Sequence, residues 1–440
     1  MSTKNLESID PWTTISETAR AWAYWYILAA SNTMTELSTR AYRKYQQNGL
    51  QSVLLNGWDI AYRKSLLKRF VAPTLLSRTS RPVLDTNSFA VWADQHGRRW
   101  DVPTEAVRPE IPTKDVTDTQ DGFDSLEHRE PPEPFVCDVP NAQLWAAAGL
   151  GLTGDGSFIG DTISFQWNLE NRLQTALSVV LHESNPIQTG RRTLTRNGTR
   201  SRDGPTVDSV CTLVPLWDNY YHWTAESLTK LMGVSLYERE TDRSPKLLLP
   251  TDPPSWMTES LELLGFGPRR WIQTGADTMQ VDHLVVPSFP DPSPEECQWL
   301  RQRAYDQLGI DTPGNDERIY VSRSNATRRR IANEADVMST LEQFGFTSYE
   351  LEALTVKEQI ELFANADIVV GPHGAGLINT IYSSDTTVVE LFGDWLKSTF
   401  YRIARLQGLE YGYLQCESRG IDLHVDTAEL ERKLERRIEA

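Results

Sequence analysis

Apolar and polar positions change period several times along this chain, and the clearest sequence of changes lies between residues 318 and 392. Ile319, Tyr320 and Val321 form an apolar run of strand length. From residue 334 to 344 the apolar positions Val337, Leu341 and Phe344 fall at helical spacing, and Gly345 is the residue type that ends helices. A second helix is expected over 356–366, with Ile360, Leu362 and Phe363 on its buried side. It empties into Ile368, Val369 and Val370, the continuous apolar run of a strand covered on both faces. Gly371-Pro372-His373-Gly374-Ala375-Gly376-Leu377 follows, then a helix suggested by Leu377, Ile378 and Ile381, and a strand at 387–389. Short strands alternating with short helices predict a parallel sheet with right-handed crossovers, whose ligands lie beyond the C-terminal ends of the strands. The glycine turn falls on that edge.

The same rhythm is present upstream. Residues 135–139 begin ordered structure, and the glycine-rich run 149–156 ends on the turn pair Asp155-Gly156 between strands. Residues 189–202 are polar and basic and read as a loop, whereas 209–215 form an apolar strand. A helix beginning at Tyr221 would place His222 and Glu226 four apart on one face, with Leu228, Leu231 and Met232 on the buried side. Leu247 to Leu249, a helix over 254–264 ended by Gly265, and the strands 271–272 and 284–287 continue the α/β pattern. Asp291-Pro292-Ser293-Pro294 opens a helix with Glu295 and Glu296 in its first turn, favourable at the positive helix end. From Thr427 a charged amphipathic helix carries Leu430 and Leu434.

Residues 1–100 read as a helical, basic segment outside this pattern. Trp22 to Ala30 is apolar, but nine residues are too few to span a bilayer. In 36–72, Arg40, Arg43, Lys44, Arg63, Lys64, Lys68 and Arg69 face only Glu36 and Asp59, with an apolar complement that includes Trp58 and Phe70. Such a stretch either lies on an anionic membrane surface or forms a helical hairpin covering the body. Residues 101–134 are rich in Pro, Asp, Glu and Thr, as in a linker or exposed loop.

Composition narrows the function. A chain of 440 residues allows two or three domains. Lys+Arg 44 against Asp+Glu 60 gives 44 − 60 = −16, which speaks against nucleic-acid binding. Cys137, Cys211, Cys297 and Cys416 show no paired spacing and read as free thiols of a reducing compartment. Met1 to Pro11 lacks the basic start and apolar core of an export signal. The expected location is the cytoplasm, on the inner face of the cell membrane if 36–72 binds lipid.

Two constellations carry candidate chemistry. Gly374 and Gly376 allow a diphosphate to approach backbone N–H groups, His373 sits at the lip, and Arg323, Arg328, Arg329 and Arg330 crowd the end of the preceding strand. The alternative is that the glycines only pack a helix against a strand. In the other constellation, an imidazole beside a carboxylate can accept a proton from an attacking hydroxyl, unless His222 and Glu226 merely stabilise a helix start.

The order R-I-Y-V-S-R, I-A-N-E, L-E-A-L-T-V-K-E-Q-I-E-L-F-A-N-A-D-I-V-V-G-P-H-G-A-G-L-I-N and V-V-E-L-F resembles glycosyltransferase family 61. So do Asn219 to Glu226 and residues 135–153, so that the likeness covers roughly 135–415. It implies a GT-B-like pair of Rossmann-like α/β domains. The N-terminal acceptor domain would span 135–290 and the C-terminal donor domain 291–415, with the helical segment 1–100, the linker 101–134 and a helical tail 416–440 added. The implied reaction moves a sugar, with inversion, from a nucleotide-diphosphate sugar to a hydroxyl of a glycan that is a surface polysaccharide, lipid-linked or protein-linked. Arg323, Arg330, His373, Gly374, Ala375 and Gly376 would hold the donor, and Asn379 would orient the turn. Glu390 would accept from ribose hydroxyls or be a buried structural carboxylate. Either His222 is the base with Glu226 as its orienter, or Glu226 is the base. An Asp-x-Asp to hold a metal is missing, so a metal-independent reaction is expected, with the nucleotide sugar as co-substrate and no other cofactor. A dehydrogenase fits poorly, since G-x-G-x-x-G with its acidic residue is lacking. A non-catalytic nucleotide-sugar or glycan-binding protein that keeps the donor pocket stays open.

Overall fold

The structure, a computed structural model, describes residues 60–104, 108–113, 116–118, 122–123, 125–163, 169–183, 186–194, 204–273, 278–289 and 292–438. It is an α/β molecule built on two sheets. The first has nine strands, and its parallel part runs in the order Met279–Pro287, Thr206–Thr212, Lys246–Leu248, Trp271–Ile272. Phe135–Trp145 lies antiparallel to Met279–Pro287 and extends the sheet through Leu150–Leu152 and Phe158–Ile159. Strand alternation sets its faces. Phe135, Cys137 and Val139 pack with Phe89 and Ala93 of the helix Thr86–His96, while Val136, Leu247 and Val285 belong to the core on the other side.

The second sheet has five strands, all parallel: Glu317–Val321, Thr347–Tyr349, Ala366–Pro372, Thr387–Phe392 and Glu410–Gln415. Numbered in chain order within the sheet, they lie 2-1-3-4-5. Val337, Leu341, Leu430 and Leu434 of the helices Glu334–Leu341 and Thr427–Ile438 cover one face against Tyr320 and Val370. Ile360, Phe363 and Ile403 of Val356–Ala364 and Thr399–Gln407 cover the other, against Ile319 and Val369. Helix ends are set locally: Ser293 with Glu296 and Thr355 with Glu358 form capping boxes, and Gly345 is left-handed at φ 78°. Strand order reverses between the first and third strands, and this switch point is where doubly wound sheets bind ligands. The chain leaves those strands at Ser322 and His373.

The two sheets share one hydrophobic core, which runs from Val136, Leu213 and Trp223 to Val321, Leu377 and Phe400. The C-terminal helix stays with the second sheet, where the Arg437 guanidinium meets Glu410 at 3.1 Å.

Three expectations change. The stretch 101–134 is not a free loop where it is described. Val116–Asp118 pairs antiparallel with Trp395–Lys397 of the second half, and Ile111–Pro112 pairs with His128–Arg129. Phe123 stacks on Tyr401 at 4.8 Å, and the buried Arg108 meets Glu295 at 3.0 Å. The basic run 189–202 begins inside a helix, Pro186–Leu194, and 195–203 lies outside the described residues. The helix after the glycine turn, Ala375–Tyr382, is a 3-10 helix. Residues 22–30 and most of 36–72 lie outside the described residues, which begin in the helical stretch Ile60–Val71. Among the described residues no helix is long and apolar enough to cross a membrane. The four cysteines are free and buried.

Candidate functional site

The His222 constellation is assembled where the strand Thr206–Thr212 meets its helix. Asn219 caps that helix, its side chain accepting from the His222 N–H at 3.1 Å. After Tyr220–His222 the helix widens to a π-helical stretch, Trp223–Leu228, a local irregularity frequent at functional sites. Trp223 anchors it by donating to Ser260 at 2.8 Å, and the Ser227 hydroxyl donates to Leu213 O at 3.0 Å. His222 Nδ1 and Glu226 Oε1 are 2.8 Å apart, as the four-residue spacing predicts. The Glu226 side chain is 6% exposed and that of His222 19%, so the carboxylate lies behind the imidazole. Burial works to raise the Glu226 carboxyl, but His222, Arg172 and Lys230 prevail and hold it below the ordinary carboxylate range. Arg172 stands 3.5 Å from Glu226, and its guanidinium also covers Trp217 at 4.6 Å. Trp217 in turn lies 4.8 Å from the His222 ring. An ionised Glu226 accepting from Nδ1–H leaves the His222 Nε2 lone pair directed away from it.

Trp217 and Asn219 also line a cleft of about 1130 Å³ beyond the C-terminal ends of the first sheet's parallel strands. Lys68 and Arg69 stand on one wall, and Asn171, Thr175 and Ser178 of the helix Leu169–Glu183 on another.

The second constellation sits at the switch point. Arg323 lies over Gly374 so closely that a Cβ built on that glycine would stand 2.1 Å from Nη1. Its guanidinium reaches Arg328 O at 3.4 Å, while Nε is buried without a hydrogen-bond partner among the described residues, which is uncommon unless a ligand completes the site. His373 is buried between Phe392 and Phe400, with both ring centroids at 5.4 Å. Burial lowers its basicity well below the usual range, and Arg329, Lys397, Arg323 and Arg328 lower it further. Those cations mark a local positive field in an acidic chain.

Several candidates have other partners. Arg330 is engaged by Asp422, through its backbone N–H at 3.1 Å and its guanidinium at 3.4 Å. Glu390 cannot reach a ribose: it is fully enclosed, its two oxygens 2.5 Å from His373 Nδ1 and 2.6 Å from the Tyr411 hydroxyl. Gly376 serves packing, because a Cβ there would meet Leu351 Cδ1 at 2.7 Å. Ala375 and Gly376 form the first turn of the 3-10 helix, where N–H groups lack partners within the helix. Asn379 is buried and accepts from the Tyr220 hydroxyl at 2.8 Å while donating to Gln359 at 2.7 Å. It thus ties the segment carrying His222 to the one carrying Gly374. Tyr221 reinforces the tie edge-on to Phe400 at 5.8 Å.

Lys397, Tyr411 and Arg172 went unnoticed in the sequence, and Tyr220 was read only as part of the segment Asn219 to Glu226. The signal for Lys397 was its place two residues past Trp395 in a polar stretch, and nothing in the sequence pairs that stretch with Val116–Asp118. Among the described residues no group of three His, Cys, Asp or Glu side chains is arranged to hold a metal ion.

Residues 220–389 match the family Glycosyltransferase 61, well under half of the chain. The matched stretch contains every candidate residue except Glu390, which lies one position beyond it. Three relatives are named EGF domain-specific O-linked N-acetylglucosamine transferase. That of Gallus gallus is 28% identical over 119 residues, 25% of this chain and 22% of the relative. That of Xenopus laevis is 33% identical over 89 residues, 19% and 17% of the two chains. That of Bos taurus is 26% identical over 104 residues, 22% and 20%. The matched stretch spans about a fifth of the length of these relatives.

Proposed function

We propose, from the Glycosyltransferase 61 character of residues 220–389, that this protein transfers a sugar from a nucleotide-diphosphate sugar to a hydroxyl of a glycan, with inversion and without a metal ion. The observation that carries this reading is the direct tie between the two constellations, Tyr220 to Asn379 at 2.8 Å. It joins the segment carrying His222 to the one carrying Gly374, which supports reading a base and a cationic phosphate cradle as parts of one site for a two-substrate transfer. The two sheets then act as a GT-B-like pair, the second holding the donor and the first the acceptor.

In the reaction so read, Arg323, the turn at Gly374–Gly376 and the neighbouring Arg328, Arg329 and Lys397 stabilise the charge that develops on the departing diphosphate. These fixed cations supply the stabilisation for which other transferases use a divalent ion. His222 Nε2 takes the proton of the acceptor hydroxyl, and Glu226, ionised behind it, fixes the tautomer and stabilises the imidazolium that forms. The acceptor enters through the cleft beside Trp217 and Asn219, a glycan that is free, lipid-linked or protein-linked. The relatives act on EGF domains by name; for this chain a protein acceptor is one member of that class.

His222→Ala should lower turnover by about 10²–10⁴, the range of a general base, while leaving the affinity for a nucleoside diphosphate unchanged. Steady-state transfer assays beside calorimetric binding measure both. Turnover near the wild-type value would remove His222 from the mechanism.

A further inference from the structure

Glu390 has no access to any ligand, yet it makes some of the shortest hydrogen bonds of the donor site. A fully buried carboxyl is costly unless both oxygens are matched. Here Oε1 stands 2.5 Å from His373 Nδ1, and Oε2 accepts from the Tyr411 hydroxyl at 2.6 Å. Phe392 and Phe400 clamp the imidazole, so the ring cannot turn to offer Nδ1 elsewhere. Among the described residues Nε2 makes no hydrogen bond, which leaves that ring edge for a ligand at the glycine turn.

The charged and titratable groups around the ring come from every element packed against it. Arg323, Arg328 and Arg329 come from the loop after Glu317–Val321, and Lys397 from Trp395–Lys397. Glu390 and Tyr411 stand behind the ring, and Tyr401 and Tyr413 flank Tyr411. Burial pushes the Glu390 carboxyl well above its ordinary range, and the hydrogen bond from Tyr411 and the charge of Arg329 offset this only in part. Burial and the four cations oppose a positive charge on His373. Both directions favour a pair that is neutral overall.

We propose that Glu390 and Tyr411 are positioning residues that keep two protons on the His373–Glu390 pair, one shared between Nδ1 and Oε1 and one on Nε2, so that Nε2–H donates to the diphosphate of the donor. The inference rests on reading the glycine turn as the donor site. Wherever the inner proton sits, Nε2 carries its hydrogen. Loss of one proton at higher pH leaves Nδ1–H against an ionised Oε1, and a bare Nε2 lone pair then faces the phosphate oxygens. Binding therefore selects the two-proton form. Affinity is full below the titration of the pair in the free protein and falls up to about tenfold per pH unit above it, as one linked proton requires.

The test uses the full chain and inorganic pyrophosphate, with calorimetry from neutral to alkaline pH on wild type, Glu390→Gln, Glu390→Ala and His373→Gln. The amide introduced by Glu390→Gln can donate to Nδ1 without titrating, so this variant should bind within about threefold of wild type at neutral pH and lose the alkaline decline. The ratio of the two affinities cancels the titration of pyrophosphate itself. Glu390→Ala should bind about 10- to 100-fold more weakly, the scale of a lost hydrogen bond to a charged group. Nitrogen NMR with labelled histidine, the His373 signals being assigned by their loss in His373→Gln, should show Nε2 protonated at neutral pH in the free protein. An unprotonated Nε2, or an affinity ratio that does not change with pH, would overturn the positioning role and leave the donor site standing. No pyrophosphate binding by wild type at any pH would overturn the donor reading itself.

Discussion

Gly374 needs its missing Cβ for reasons of space rather than backbone angle. Its φ is −176°, an extended value open to any residue, but a Cβ would fall 2.1 Å from Arg323 Nη1 and 2.9 Å from Cζ. The obstacle is the mobile end of a side chain, so Gly374→Ala displaces the guanidinium and leaves the fold alone. We expect the melting temperature to change by less than about 2 °C, in keeping with a cost under half a kcal/mol. Nucleoside diphosphate affinity should fall at least about tenfold, the worth of a charge-assisted hydrogen bond. Equal affinity of variant and wild type in calorimetry would mean that the contact serves packing, as it does at Gly376. The sequence named the loop on which Arg323 closes but not every contact in it. Glu390 follows an apolar run at the end of the expected strand 387–389, which left a carboxylate at the rim and a buried structural one equally open. The strand in fact continues to Phe392, and Tyr411 from the adjacent strand seals the carboxylate inside. No period in a sequence reports that partnership.

Apart from Thr347–Tyr349, Glu410–Gln415 and the helix Thr399–Gln407, which went unread, the helices and strands of the second sheet were legible because each carries its own periodicity: the runs at 319–321 and 368–370, the spacing of Val337 and Leu341, and Gly345 at the stop. The stretch 108–129 was not. Its strands are two or three residues long, too short to show alternation, and Val116–Asp118 finds its partner in Trp395–Lys397, far along the chain. Low aliphatic content made it resemble a linker, whereas one aromatic residue anchors it. Phe123 is buried against Tyr401 and lies edge-on to Phe392, Tyr411 and Tyr413. Phe123→Ala should cost about 3 kcal/mol, typical of a buried phenylalanine, read as a lower urea midpoint. A loss below about 1 kcal/mol would show that the strap does not depend on this anchor.

Over the whole molecule, a chain of net charge −16 concentrates Arg323, Arg328, Arg329 and Lys397 around one histidine at the switch point of a 2-1-3-4-5 sheet. Long-range attraction does not favour an anion near such a chain, so these cations must act at close quarters. The continuous core and the link from Tyr220 to Asn379 keep that field in register with His222. The α/β character, with parallel strands in both sheets, was legible from alternating strands and helices. The shared core between them was not, because it depends on which faces meet after each half has formed. On the proposed function the glycine turn is a metal-independent nucleotide-diphosphate donor site. Its most direct test is a thermal-shift and calorimetric screen of the protein and Arg323→Ala against UDP, GDP, CMP, dTDP and their sugars, with EDTA present. The account predicts stabilisation by at least one nucleoside diphosphate, about 2.7 kcal/mol at a hundredfold excess over its Kd, and its loss in Arg323→Ala. Stabilisation by none of them, or one that appears only when a divalent ion replaces EDTA, would contradict it.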